Sequence, residues 1–505
     1  MSDKVKALYK ELTDRIKEVT ILGSCEALIG WDERTYIPRK GAENRANQLS
    51  YLAGLAHKKF TDPKIGELLT ELEQSDLIKD EFSDEAVTIR ETRYDYDKEV
   101  KLPQKLVEEL SHTATMAQGV WAKARGENDF ASFQPYLEKM IKLSIKKAEC
   151  YGYKNEAYDA LLNEYEPGSS VEFVSKVFSG FKDDLVALVS AIGNAKKKPN
   201  MSLIENTYPI DLQETFGRSA SAAIGFDYAG GRLDKTAHPF CTGIGPGDTR
   251  ITTRFNPNHF GQALFGILHE AGHGIYDQGL PAEHHGTPRA EAVSLGIHES
   301  QSRMWENQVG RGKPFWKHFF PRAQQMFPEL LGDVALDDFY FAINDVRPSL
   351  IRVEADEVTY NLHILLRFEM EHALISGNLQ AKDAPEAWNE KFQQFFGITP
   401  PTVGDGCMQD VHWSAGLFGY FPTYTLGNLY SAQFFAKAKE ELPGLEDKFA
   451  IGDFVDLKKW LNEKIHTHGR RYRAEKLVEV VTGDKLSHEP LMQYLKNKFG
   501  KLYEL

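Results

Sequence analysis

At 505 residues, with 42% hydrophobic, 26% charged and 11% aromatic side chains, the chain has the make-up of a folded globular protein and is longer than one hydrophobic core requires. Its formal net charge of -13, from 60 basic against 73 acidic side chains, argues against a nucleic-acid partner, which needs a concentrated basic face. Four cysteines, Cys25, Cys150, Cys241 and Cys407, lie far apart with no CxxC pair, a usage that fits a reducing compartment.

The first residues, MSDKVKALYKELTDR, are charged from the third position and lack the apolar core of a signal peptide, so a cytoplasmic location is expected. From residue 3 to about residue 181 apolar positions recur at three and four, which predicts a layer of helices. Breaks are expected at Asp62-Pro63, Leu102-Pro103 and Glu166-Pro167-Gly168, with Val171 opening the next helix. Between about residues 202 and 257 Gly and Pro become frequent, and RITTRF, residues 250–255, reads as a strand, so a small sheet is predicted there. GIGPGD, residues 243–248, reads as a turn and not as a phosphate loop.

Helical periodicity resumes near Asn258 and continues to the end, giving a mostly α class with a minor β element. The expected organisation is one large unit with two lobes around a cleft. It comprises a helical lobe over 1–201, a small β element with cleft loops over 202–257, metal and substrate-binding helices over 258–430, and C-terminal helices over 431–505. The uncharged run from residue 411 to 436 is long enough for a membrane span, but Pro422 and its many Gly, Tyr, Thr, Ser and Asn residues make it a buried segment. No membrane partner is expected.

The run from Asn258 to Leu280 reads as one helix, with Asn258 as N-cap and Gly279 with Pro281 at its end. It carries HExxH as His269, Glu270, Ala271, Gly272 and His273. Residues at i and i+4 share a helical face, so both imidazoles can reach one cation while Glu270 stands beside them to polarise a water. A third ligand is needed, and a helix predicted over about residues 289–309 offers Glu291 and Glu299. The polar neighbours in His298-Glu299-Ser300-Gln301 favour Glu299 without excluding Glu291.

Further along, Pro348 is expected to open a helix in which Arg352 and Asp356 share a face at i, i+4, either as a surface ion pair or with Arg352 free to clamp a carboxylate. Residues 406–424 gather Gln409, Asp410, His412, Tyr420 and Tyr424 in a Gly-rich stretch, of which His and Tyr are donor types that stabilise an oxyanion. His466 and His468, spaced i, i+2 among arginines, read as surface residues.

Taken together these motifs resemble the carboxypeptidase Taq family of metallocarboxypeptidases over essentially the full length. The shared elements are His238-Pro239-Phe240, Asp248 with Arg250 and Thr252, the HEAGH run, and His298 to Gln301. They continue with Ile351, Arg352, Ala355 and Asp356, then Gly406, Gln409, Asp410, His412 and Trp413, and near the start Trp31, Asp32, Thr35 and Pro38. The resemblance implies Glu299 as third ligand and a two-lobed helical fold with a deep groove, similar to neurolysin-like and angiotensin-converting-enzyme-like peptidases. It implies removal of single C-terminal residues from peptides, broad in specificity but not for Pro. It also implies one zinc ion replaceable by cobalt or manganese, and a homodimer. Glu270 would then be the general base toward a zinc-activated water, His412 with Tyr420 or Tyr424 would steady the oxyanion, and Arg352 or Arg250 would hold the terminal carboxylate. Cys241, directly after HPF, and Cys407, inside the GxxQDxHW element, depart from the expected pattern and bring thiols near the cleft.

Overall fold

The computed structural model describes residues 2–505. Helices α1 (Asp3–Thr35), α2 (Ala42–Phe60), α3 (Pro63–Leu72), α4 (Asp84–Lys101), α5 (Gln104–Glu127), α6 (Phe130–Tyr151), α7 (Ala157–Tyr165), α8 (Val171–Asn194) and α9 (Ile210–Ala223) come first. The predicted breaks fall where proline and caps put them: Asp62 caps α3 with Pro63 at its first turn, Leu102-Pro103 separates α4 from α5, and the Ser170 side chain caps α8.

Strands β1 (Gly231–Lys235), β2 (Cys241–Gly245) and β3 (Asp248–Thr253) form the small sheet, in the order β1-β3-β2. β1 runs parallel to β3, pairing Leu233 with Ile251, and β2 runs antiparallel to β3 across a tight turn at Pro246-Gly247, pairing Cys241 with Ile251, so that of the turn expected over 243–248 the first three residues belong to β2 and Asp248 opens β3. The central strand is the most buried of the three, and Ile251 at its middle is fully enclosed.

On this sheet lies α10 (Phe260–Gly279), followed by α11 (Leu295–Arg303) and, without interruption, a π-helical stretch Met304–Gly310. The remaining helices are α12 (Lys313–Met326), α13 (Pro328–Leu331), α14 (Leu336–Ile343), α15 (Thr359–Ile375), α16 (Ala384–Phe396), α17 (Pro422–Glu441), α18 (Leu445–Ala450), α19 (Val455–Lys464), α20 (Ala474–Thr482) and α21 (Glu489–Tyr503). The chain is thus mostly helical with one three-stranded sheet. No helix among the described residues is long and apolar enough to cross a membrane, and residues 422–436 are largely buried in α17.

The main core runs from the end of α5 to the C-terminus, while Leu12, Ile16, Ile65, Leu68, Leu69, Leu72, Leu77, Ile89 and Tyr96 make a separate small core joining α1, α3 and α4. Each fully buried Leu or Phe contributes about 1.5–3 kcal/mol. α2 buries no residue in either core.

Four expectations need correction. The N-cap of α10 is His259, whose Nδ1 accepts from the Gly261 and Gln262 amides at 3.1 Å, while Asn258 stands one residue earlier, its own amide donating to Asn256 Oδ1 at 2.9 Å. The helix expected over 289–309 breaks after a 3-10 turn at Pro288–Ala290 and restarts at Leu295, because the Ser294 hydroxyl caps the Ile297 amide at 3.1 Å. No helix opens at Pro348: a single 3-10 turn, Arg352–Glu354, precedes α15, and Asp356 caps that helix by accepting from the Val358 and Thr359 amides, both at 2.9 Å. Asp356 is therefore not the partner of Arg352. His466 is buried, bonding Gln301 Oε1 through Nε2 at 2.9 Å and lying 4.9 Å from the Tyr276 ring, so it is a core residue and not a surface one.

α10 and α11 touch backbone to backbone at Gly272, where an added methyl would lie 2.6 Å from Ser302 Cα and 2.7 Å from the Gln301 carbonyl oxygen. Neither neighbour is a flexible side-chain tip, so Gly272→Ala is expected to destabilise the fold by about 1–3 kcal/mol through overpacking. A lower urea midpoint with an unchanged slope would register that loss.

Candidate metal and substrate site

α10 is buried on most of its surface, between the sheet on one side and α11 on the other, and presents His269 and His273 one turn apart. From α11, Glu299 Oε2 lies 3.6 Å from His269 Nε2 and 3.4 Å from His273 Nε2. These three ligand atoms lie within 4.8 Å of one another, the one such group of three or more His, Cys, Asp or Glu side chains among the described residues. Glu270, next on the helix, is buried at 6% exposure. Glu291, the other carboxylate considered, is instead on the surface side, paired with Arg470 at 2.9 Å.

The set fits a divalent cation by its donor chemistry. Two imidazoles and one carboxylate are a familiar catalytic zinc set that leaves a position open. The outward nitrogens of both rings are already engaged: His269 Nδ1 bonds Glu306 Oε2 at 2.9 Å, and His273 Nδ1 meets His298 Nδ1 at 2.5 Å. The Nε2 atoms are therefore free to face a cation. The Glu299 carboxylate is fixed by its own helix, Oε1 accepting from Arg303 Nε at 2.7 Å and Oε2 from the Ser302 hydroxyl at 3.1 Å. α17 comes so close behind it that a methyl at Gly427 would lie 2.6 Å from Glu299 Cγ.

Charges within this group explain its protonation. Burial works to raise the Glu299 carboxyl, but Arg303 and His269 outweigh it and hold it well below the usual carboxylate range. Burial likewise pushes Glu270 up to about 7, with Glu299 adding to the effect and His269 opposing it. His273 is drawn down to about 4, chiefly by burial. Cys241 Sγ lies 3.9 Å from Asp277 Oδ2, and burial with the Asp277 charge raises its pKa well above the ordinary value, so it stays a thiol. Cys407, buried and pushed up to about 12, does the same.

A second cluster is joined to the first through Tyr360, whose ring lies 4.3 Å under the Arg303 guanidinium and whose hydroxyl accepts from Arg352 at 3.0 Å. Arg352 is buried at 6% exposure; its Nε and one terminal nitrogen donate to Asp410 Oδ1 at 3.0 and 2.8 Å, and its amide donates to Gln409 Oε1 at 2.8 Å. Arg367, fully buried, takes the other oxygen of the same carboxylate at 2.7 Å. Asp410 thus faces two guanidinium groups, leaving one positive charge over, and its carboxyl is held far below the usual range although burial opposes this.

His412, Tyr420 and Tyr424 close this cluster. His412 lies 5.4 Å from the Tyr420 ring and 6.5 Å from that of Tyr424, and the Arg352 guanidinium is 5.1 Å from the Tyr424 ring. Burial draws His412 down to about 3, with Arg352 and Arg367 adding to it against Asp410, so the ring is neutral, and its buried Nδ1 has no hydrogen-bond partner.

The remaining motif residues lie elsewhere. Arg250 is gripped by Asp248 through two 2.8 Å bonds and stacks 4.2 Å over Trp31, tying α1 to the sheet. His238 is exposed in the loop between β1 and β2, which Thr252 anchors by accepting the Phe240 amide at 2.8 Å.

Sequence spacing did not single out Glu306, Arg303, Tyr360 or Arg367. Glu306 and Arg303 follow Glu299 at seven and four residues, a signal visible only if the helix there is taken as continuing. Arg367 and Tyr360 carry no motif signal at all.

The position of α11 depends on Glu166, in the loop after α7. Its carboxylate accepts from the Ser294 hydroxyl at 2.9 Å, the Tyr430 hydroxyl at 3.0 Å and the Gly296 amide at 3.0 Å. Burial still pushes it up to about 7, against those three bonds.

A family model for carboxypeptidase Taq (M32) metallopeptidases matches residues 11–499. The chain is 49% identical over 510 residues to thermostable carboxypeptidase 1 of Thermus thermophilus, covering 99% of each chain. It is 39% identical over 504 residues to carboxypeptidase 1 of Bacillus subtilis, covering 99% of this chain and 100% of that one. Its structure is similar to that of an M32 carboxypeptidase from Deinococcus radiodurans R1, with a TM-score of 0.95 at 40% identity over 99% of this chain and 100% of the other.

Because the folded pKa of Glu166 lies above its ordinary value of 4.5, folding takes up a proton between about pH 4.5 and 7. Its contribution to stability is full below that window and lost as pH rises through it. Glu166→Gln, neutral at every pH, should therefore gain thermal stability relative to the parent as pH is raised from about 4.5 to 7, as paired melting curves would show.

Proposed function

The chain belongs to the carboxypeptidase Taq (M32) family of metallopeptidases, and from that premise we propose that it removes single residues from the free C-terminal end of peptides. The observation that carries this reading is the surplus positive charge at Asp410, where Arg352 and Arg367 share one carboxylate in a buried setting connected by Tyr360 to the three metal-binding side chains. A buried charge left over is costly, and the carboxylate of a peptide's last residue supplies the missing partner.

In this reading His269, His273 and Glu299 hold the cation, with zinc as the native ion and cobalt or manganese as substitutes. When bound, that ion supplies Lewis-acid polarisation of the scissile carbonyl and makes a water easier to deprotonate. Glu270 takes the proton of the attacking water and passes it to the leaving amine. Neutral His412 and the Tyr420 or Tyr424 hydroxyl donate hydrogen bonds to the oxyanion, and Arg352 orients the substrate by its terminal carboxylate. Gln409 and Asp410 keep Arg352 in place, the first through its amide and the second through its guanidinium. Arg250, Asp248 and His238 support the cleft through the sheet and its loop, whereas the carboxylate-binding role is assigned to Arg352.

Broad tolerance toward the released side chain, with Pro refused, and action as a cytoplasmic homodimer without nucleic-acid or membrane partners complete the proposal. Four free thiols and a net charge of -13 support the cytoplasmic setting and the absence of a nucleic-acid partner.

Glu270→Gln should lower kcat by about 10²–10⁴-fold with metal content unchanged, measured by peptide turnover beside elemental analysis. Unaltered turnover would remove Glu270 from the mechanism. Arg352→Lys keeps the charge but loses the fork, and should cut kcat/KM on free-ended peptides by about 10–100-fold, the equivalent of one charge-assisted hydrogen bond. Product masses from free and amidated peptides, with a chelated control, decide the register. One-residue shortening of the free-ended set alone supports the carboxypeptidase reading; internal cleavage of both sets, or loss of dipeptides, defeats it.

A further inference from the structure

We propose that Asp277 and His298 form a positioning relay that selects the metal-binding tautomer of His273 and so sets how tightly the cation is held. The inference rests on the reading that His269, His273 and Glu299 are the ligands. For either imidazole to ligate through Nε2, the hydrogen of the neutral ring has to sit on Nδ1.

For His269 this is settled directly, because Nδ1 faces Glu306 Oε2 at 2.9 Å and an ionised carboxylate can only accept. His273 has no carboxylate at its Nδ1. Its neighbour there is another ring nitrogen, Nδ1 of His298 at 2.5 Å, and two imidazole nitrogens in such contact share one hydrogen. The ring planes differ by 25° with centroids 4.5 Å apart, so the nitrogens meet edge to edge.

Which ring carries the hydrogen is decided on the far side. His298 Nε2 lies 2.9 Å from Asp277 Oδ1, an acceptor, so the hydrogen of neutral His298 belongs on Nε2 and its Nδ1 is bare. His273 then donates through Nδ1 and turns a bare Nε2 toward Glu299. Asp277 sits four residues after His273 on α10, yet it acts through the intervening ring from α11, so the relay also ties the two ligand-bearing helices together.

Asp277 is itself held. Cys241 from β2 lies 3.9 Å from its other oxygen, and Gly243 leaves the room it occupies, since a methyl there would be 3.2 Å from Oδ2. His298 is steadied by the Tyr276 ring at 5.3 Å. Without Asp277, His298 is free to carry its hydrogen on Nδ1, which forces His273 into the tautomer whose Nε2 cannot ligate.

The test uses the full-length protein, stripped of metal and titrated with zinc against a chromophoric chelator. Asp277→Ala and His298→Phe should each weaken zinc binding by about 10–100-fold, the usual penalty for losing such a partner. Asp277→Asn, whose carbonyl can still accept, should fall between Ala and the parent. Cobalt loading gives a second readout: the visible bands of the Ala and Phe variants should shift from the parental ones as the His273 ring loosens. Parental zinc affinity and cobalt spectrum in both Asp277→Ala and His298→Phe, with only the melting temperature lowered, would overturn the relay and leave a structural role. If His298→Phe does not fold, the Asp277 pair decides alone. The reading beneath it fails separately, and takes the relay with it, if the parent binds no zinc or if Glu299→Ala binds as the parent does.

Discussion

The structure depends on the close contact of α10 with α11, because the three groups that converge on one point come from both helices. A carboxylate between two imidazoles tolerates little error, and a shift of a few tenths of an ångström in either helix changes the 3.4 and 3.6 Å separations. Several features far apart in sequence serve that contact. Gly272 allows the backbones to meet, Glu166 fixes the start of α11, and Gly427 lets α17 close in behind Glu299. None of these touches the Nε2 atoms, yet each limits where Glu299 can be.

Two electrostatic poles follow from this arrangement, one at the contact itself and one beyond Tyr360. At the metal pole the carboxylates of Glu270, Glu299 and Glu306 outnumber the cations Arg303 and Arg311, which suits a site that takes up a divalent ion. At the other pole Arg352 and Arg367 outnumber Asp410. Tyr360 sits between them with its face toward Arg303 and its hydroxyl toward Arg352, so the two poles hold a fixed spacing. A peptide end, with a carbonyl to polarise and a carboxylate to neutralise, matches that arrangement in both charge and order.

Much of the fold was legible in the sequence because it rests on local rules. The proline and cap breaks, the strand in RITTRF and the i, i+4 pairing of HEAGH all depend on residues within a turn of each other. Glu299 was narrowed to two candidates by spacing, and the family resemblance chose between them. The features that escaped were of another kind. Arg352 finds Asp410 across 58 residues and Arg367 finds it across 43, whereas the nearer Asp356 is used up as a helix cap. His466, among arginines in the sequence, is buried because Gln301 and Tyr276 come to it from α11 and α10. A local pattern reports which groups can pair, not which pairings the rest of the chain leaves available.

The π-helical stretch after α11 limits how far the chain tolerates change in length. A wider turn holds one residue more than an α-helix would over the same rise, and each residue added or removed rotates the downstream helix by about 100°. Glu306, the partner of His269, lies within Met304–Gly310 itself. The loops around the molecule can gain or lose residues at small cost, but in this segment a single deletion, even of a side chain with no role of its own, would swing the carboxylate off the ring it holds. Descendants of this chain are therefore free to vary in the identity of several residues there and constrained in their number.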